Sequence, residues 1–193
     1  MSSYTIYFDL ETGGVEPQHP TIQLAAIAVE DGTFIEAGLF ETKIAFDETK
    51  ADPEALKINH YEASKWKGAP TALGSTVLFS RFIRPFSSVT LISKRTGDPY
   101  SVAKLSGYNA VTFDGPRLKA MFAGSFFPCS YQIRDVLQRA LFFFDENHFD
   151  PPKDFKLSTV CEYFNIPTDG AHDALTDVRL TIALAKAMRQ DLW

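Results

Sequence analysis

Early in the chain, within SSYTIYFDLETGGVE, two carboxylates stand two residues apart: Asp9 and Glu11, immediately before Thr12-Gly13-Gly14. The residues ahead of them are apolar and aromatic, so the pair lies in a segment that a folded core would claim. Burying one unpaired carboxylate is costly, and burying two that repel each other costs more. On a strand, residues two apart face the same way. Asp9 and Glu11 therefore project together, with Leu10 pointing the other way into the core. Two oxygen ligands on one side of a strand suit a hard cation such as Mg²⁺ or Mn²⁺. A polar strand end facing solvent is the alternative that these residues alone leave open.

Two other stretches offer partners. In HDALTDVRLTIALAKAM, Asp173 and Asp177 are four apart and share a helix face. His172 and Asp177 are five apart and do not, at about 3.6 residues per turn. For both to serve one site, His172 must precede the helix or sit on a loop bending over it. Asp173 is by spacing a rival ligand, and its simpler role is a first-turn acid favoured by the helix dipole. In GYNAVTFDGPRL, Asp114 precedes Gly115-Pro116 and reads as a helix N-cap, with Pro116 just inside. Capping alone would account for Asp114, and a surface position for His172.

The elements that must position these residues are legible in outline. Tyr4 to Thr12 reads as a strand apolar on both faces, central in a sheet. Thr21 to Asp31 and Gly32 to Ile44 read as the next two strands, joined antiparallel at Asp31-Gly32. Asp52 is a plausible N-cap with Pro53 at the first helical position. The helix that follows in TALGSTVLFSRFIRPF presents Leu73, Val77, Leu78 and Phe82 as its apolar residues. Residues 87 to 105 alternate and turn at Thr96-Gly97-Asp98-Pro99, a hairpin-like excursion. A short strand, a loop and a helix follow in KLSGYNAVTFDGPRLKAMF. YQIRDVLQRALFFF is a strand or loop leading into an apolar helix, and two more helices close the chain. Strands first and helices mixed after them give an α/β layered domain, taken as one unit over 1–193 with an insertion at 87–105.

The composition is that of a soluble globular protein: 193 residues, 45% hydrophobic and 22% charged. A net charge of −5 argues mildly against bulk attraction to nucleic acid. Carboxylates that hold cations nevertheless count as negative in that sum while presenting a positive site once loaded. Cys129 and Cys161 fit no metal spacing and are expected as buried free thiols in a reducing compartment. Neither a signal peptide nor an apolar run of about 18 residues is visible, so the expectation is a cytoplasmic protein with no membrane partner.

Taken in order, Asp-Leu-Glu-Thr-Gly, then Asn109 with Phe113-Asp114, then His172 and Asp177 resemble the DEDD superfamily of 3′–5′ exonucleases. The His-to-Asp spacing is that of the DEDDh branch, which includes the proofreading epsilon subunits of replicative polymerases and the oligoribonucleases. TIQLAAIAV and PEALKINHY also match, and the resemblance runs over nearly the whole chain. There are two departures. Gly13 stands where a second Thr is common, and residues 87–105 are longer than compact members require.

The resemblance implies a ribonuclease-H-like fold, an α/β structure with a mixed five-stranded sheet and helices on both faces. It assigns Asp9, Glu11, Asp114 and Asp177 to two divalent cations, Mg²⁺ or Mn²⁺, and His172 to general-base work on the attacking water. Beside the first motif it makes Thr12 and Gly13 candidates for binding the terminal nucleotide. Asn109 either holds the strand–loop geometry or touches substrate. Lys94, Arg95 and Tyr100 on the excursion suit a phosphate backbone and a stacked base, or simply a solvated hairpin tip.

The expected activity is removal of nucleoside 5′-monophosphates from single-stranded or frayed 3′ ends, DNA favoured over RNA. An RNA-trimming exoribonuclease or oligoribonuclease is one alternative. A catalytically silent nucleic-acid-binding or polymerase-docking module is another, and family members often form homodimers.

Overall fold

A computed structural model describes residues 2–170 and 173–190. Strands β1 (Tyr4–Thr12), β2 (Thr21–Glu30) and β3 (Glu36–Lys43) come first. Helices α1 (Pro53–Ile58), α2 (Ala63–Trp66) and α3 (Ala72–Ile83) follow, then strands β4 (Val89–Ile92), β5 (Pro99–Val102) and β6 (Leu105–Gly107). Helix α4 (Asp114–Met121), the two-residue strand β7 (Arg134–Asp135) and helices α5 (Val136–Asn147), α6 (Leu157–Tyr163) and α7 (Ala174–Gln190) complete the chain.

The main sheet is five-stranded in the order β3-β2-β1-β6-β7. β1 and β2 pair antiparallel, as do β2 and β3, whereas β6 joins β1 in parallel and β7 joins β6 in parallel. This is the mixed five-stranded sheet that the resemblance implied. β4 and β5 form a separate antiparallel ribbon over residues expected as a hairpin.

Because successive side chains on a strand face opposite sides, β1 and β2 feed two cores. Ile6, Phe8 and Leu10, with Leu24, Ala26 and Ala28, pack under α3 and α4 against Phe79, Ile83 and Leu118. Tyr7, Ala25, Ile27 and Val29 face the other way, onto α5, α6 and α7. Helices thus cover both faces, and a strand buried on both sides reads as the near-continuous apolar run seen in β2. Cys129 and Cys161 are free and buried, one in each core. No described helix is long and apolar enough to cross a membrane.

Three local expectations need correction. The β2–β3 connection turns over residues 31–35 rather than at Asp31-Gly32 alone, with Gly32 and Phe34 both at positive φ (87° and 58°). In α3, Ser75, Thr76, Phe79 and Ile83 form the buried face, while Leu73 and Val77 are 55% and 48% exposed and Leu78 is also exposed. Of the four apolar residues expected to form its face, Phe82 does pack on the core, but the buried face is centred on two small hydroxyl residues that fit close to the sheet. Asp114 is the first residue of α4 and not its cap; Phe113 occupies the cap position without a side-chain cap bond.

Candidate active site

β1 carries Asp9 and Glu11 on the face that looks toward α7, opposite Leu10, which is buried in the other core. From α7 comes Asp177, and one carboxylate oxygen from each of Asp9, Glu11 and Asp177 lies within 4.8 Å of the others. Asp114 reaches the group from the first turn of α4. It is buried, its carboxylate accepts the Leu10 N–H, and among neighbouring charges it acts most strongly on Asp9. Among the described residues, Asp9, Glu11 and Asp177 therefore converge at one end of β1, and Asp114 is near enough for its charge to act on Asp9 and Glu11. His172 lies outside the described residues.

The electrostatics are those of a site built for positive charge. Burial first, and then the charges of Asp114, Glu11 and Asp177, push the Asp9 carboxyl well above the usual range. Glu11 is raised to about 8, by burial and then by Asp177, Asp173 and Asp114. Asp114 is raised to about 7 by burial, a rise that the Leu10 N–H and the Arg117 guanidinium partly offset. Glu11 Oε1 is buried without a hydrogen-bond partner. A buried carboxylate oxygen left unbonded is expensive unless a cation satisfies it. The donor set, all carboxylate oxygen, suits a hard divalent cation rather than a thiolate or imidazole metal site.

Asp173, the rival ligand by spacing, is engaged elsewhere. Its Oδ2 accepts from the Thr176 N–H (3.2 Å) and hydroxyl (3.3 Å), capping α7, and its Oδ1 accepts from Gln23 Nε2 at 3.1 Å. The same Gln23 amide donates to Glu41 Oε1 at 3.0 Å. Gln23 is buried, sits opposite Glu11 in the β1–β2 register, and was not singled out in the sequence. One neutral polar residue inside an apolar strand was the only signal that could have found it. Arg117 was also passed over. Its guanidinium lies 3.7 Å from the Phe113 ring and bonds the Phe113 and Val15 carbonyls, tying the loop after Gly14 to α4.

Thr12 and Gly13 lie beside the acids, beyond a break in the β1–β2 register. The Thr12 hydroxyl donates to the Gly14 carbonyl (2.8 Å), and Asn59 Nδ2 donates to the Thr12 carbonyl (2.8 Å). Gly13 N–H donates to the Pro20 carbonyl and its own carbonyl accepts from Asp52 N–H. Both backbone polar groups of Gly13 are thus engaged within the chain. A Cβ there would meet Ala51 Cβ at 2.7 Å and Pro20 at 3.1 Å, which explains Gly where the resembling family has Thr.

Asn109 adopts a left-handed conformation (φ 55°) tolerated by Asn. Its N–H, with those of Val111 and Leu137, donates to the Asp135 carboxylate, each at 3.0 Å. It also borders a cavity of about 570 Å³ that reaches Asp177 and is lined by Tyr108, Phe155 and Lys156. Lys94, Arg95 and Tyr100 do not join the acids. Their ribbon adjoins the opposite end of β1, where the Ser88 hydroxyl donates to the Tyr4 carbonyl.

No family model matches the sequence, and no curated protein matches it. Solved structures do. Over 100% of this chain and 41% of the other, the backbone matches the zinc ion-bound form of E. coli exonuclease I in complex with single-stranded DNA, with TM-score 0.77 and 22% identity. The fold is ribonuclease-H-like. A complex of exonuclease I with the SSB C-terminus matches over 100% of this chain and 42% of that one, with TM-score 0.74 and 20% identity. A product-bound exonuclease I matches over 98% and 44%, also with TM-score 0.74 and 20% identity. This ribonuclease-H-like chain thus spans less than half the length of the proteins it resembles.

Proposed function

We propose that this protein is a metal-dependent 3′–5′ exonuclease of the DEDDh type, acting on single-stranded or frayed ends with DNA favoured. The observation that carries this reading is the convergence of Asp9, Glu11 and Asp177 at the carboxyl end of a central strand, with Asp114 near enough for its charge to act on Asp9 and Glu11. It is supported by the shared fold with exonuclease I, whose structures include complexes with dT13 and dA16 oligonucleotides.

Asp9, Glu11, Asp114 and Asp177 would hold two divalent cations. Such a pair, when bound, stabilises the attacking and leaving oxygens of a phosphoryl displacement and activates water. The chain's own residues do the rest. Asp9 and Glu11 keep a fixed separation because a strand carries both, and Asp177 is held by a helix packed on that strand. The cavity beside Asp177, lined by Tyr108, Phe155 and Lys156, receives the terminal nucleotide in this reading. His172, just ahead of α7, takes the proton of the attacking water, as suits an imidazole near neutral pH.

The deciding experiment is a parallel digest of 3′-labelled single-stranded DNA, duplex DNA and RNA with Mg²⁺ or Mn²⁺. Shortening of single-stranded DNA from the 3′ end, stopped by EDTA and absent in Asp9→Ala, is the expected result. Intact strands with both ions present would overturn the reading, and faster loss of RNA would move it to an exoribonuclease.

A further inference from the structure

Far from the acids, the β4–β5 ribbon meets α3 and the loop after α4 in two adjoining hollows of about 710 and 400 Å³. The Phe126 ring is shared by both. It is 66% exposed, and the Tyr100 ring meets it edge-on at 5.9 Å. Lys94 and Arg95 line one hollow, Arg81 and Arg84 the other. All four cations are exposed and form no ion pair among the described residues, in contrast to Lys104 and Arg179, which pair with Asp31 and Glu36. Asp98 is the one carboxylate lining either hollow.

The location separates this groove from the acidic site. Its ribbon leads into β6 beside Tyr4. Asp9 lies five residues further along β1, about 16 Å at 3.3 Å per residue. α4 brings Asp114 to the acids from its first turn, whereas Phe122, Ser125 and Phe126 of the groove follow its opposite end.

We propose that this groove holds a stretch of single-stranded nucleic acid, its phosphates against Arg81, Arg84, Lys94 and Arg95 and its bases against Phe126 and Tyr100. A chain of net charge −5 that leaves four unpaired cations around one exposed aromatic pair has a local potential opposite to its total. Cations track a phosphate backbone, and aromatic faces stack any base irrespective of sequence. A duplex keeps its bases stacked on one another and offers Phe126 no free face, so the single strand is the ligand that uses both features. The proposal deepens the nuclease reading by giving the substrate strand a second hold, yet the binding itself needs neither ions nor cleavage.

The test is fluorescence anisotropy of 5′-fluorescein dT20 in EDTA, which reads the groove without catalysis. Wild-type protein binds, and binds a duplex of equal length more weakly. Phe126→Ala weakens dT20 binding about tenfold. Arg84→Ala and Lys94→Ala each lower the slope of log affinity against log salt by about 0.7. These side chains are exposed, and circular dichroism verifies that the variants fold. Failure of dT20 to bind, or equal affinity and salt slope in all three variants, overturns the proposal. So does an oligoglutamate peptide that binds through the same residues while dT20 does not, since the groove would then dock an acidic protein segment. Failure of the nuclease reading shows instead as intact 3′-labelled strands in the digest, with the anisotropy unchanged.

Discussion

Glu11 and Gln23 stand opposite each other across the β1–β2 ladder, yet the Gln23 amide turns away from Glu11 to bond Asp173 and Glu41. Glu11 Oε1 is thereby left buried and unbonded beside a potential donor, while the start of α7 is fixed to β2. Gln23→Leu removes that tie. We expect a loss of about 1 kcal/mol in stability by thermal melting, and weaker Mn²⁺ binding by calorimetry as Asp177 loses its register with Asp9.

The raised acids make metal-free stability depend on pH in a stated direction. Glu11 moves from an ordinary 4.5 to about 8 and Asp114 from 3.8 to about 7. The folded state therefore holds their protons more tightly than the unfolded chain does. That contribution is complete below the ordinary values and is lost as pH rises through about 7 to 8. In EDTA, the melting temperature should fall between pH 5 and pH 8.5 by this linkage, roughly in step with deprotonation, and Glu11→Gln should flatten the fall. Loading with Mn²⁺ at neutral pH should release protons, which calorimetry in two buffers of different ionisation enthalpy detects.

Gly13→Thr restores the residue common in the resembling family and should not restore anything else. Its Cβ would sit 2.7 Å from Ala51 Cβ, an overpacking that costs about 1–3 kcal/mol. Chemical denaturation reads the loss, and pairing the change with Ala51→Gly should recover part of it.

Asp173→Asn and Asp173→Ala separate capping from ligation. Asn caps nearly as well as Asp, whereas Ala costs about 1 kcal/mol, so melting should distinguish the two variants. Mn²⁺ stoichiometry should be unchanged in both. A lost equivalent in Asp173→Asn would make it a ligand after all.

The residue pattern gave away whatever depended on periodicity and carboxylates. Strand alternation placed Asp9 and Glu11 together with Leu10 opposite, and the β4–β5 ribbon announced itself at Thr96-Gly97-Asp98-Pro99. What it hid depended on contacts between distant segments. The burial of Ser75 and Thr76 in place of Leu73 and Val77 follows from how near α3 lies to the sheet, which no helical pattern encodes. β7 is two residues long and exists only because β6 lies alongside. Gln23 and Arg117 are single polar residues whose partners are far away in sequence, so no spacing points to them.

The short β6 has one more effect. It meets β1 only at Ile6–Leu105 and Tyr7–Ser106 and ends at Gly107. The next rung on that side of β1, the Leu10 N–H, is filled by the Asp114 carboxylate. A side chain from a helix thus completes a backbone ladder. Asp114 is moored by the backbone itself, so a cation bound there, as proposed, would need to order only the remaining acids around it.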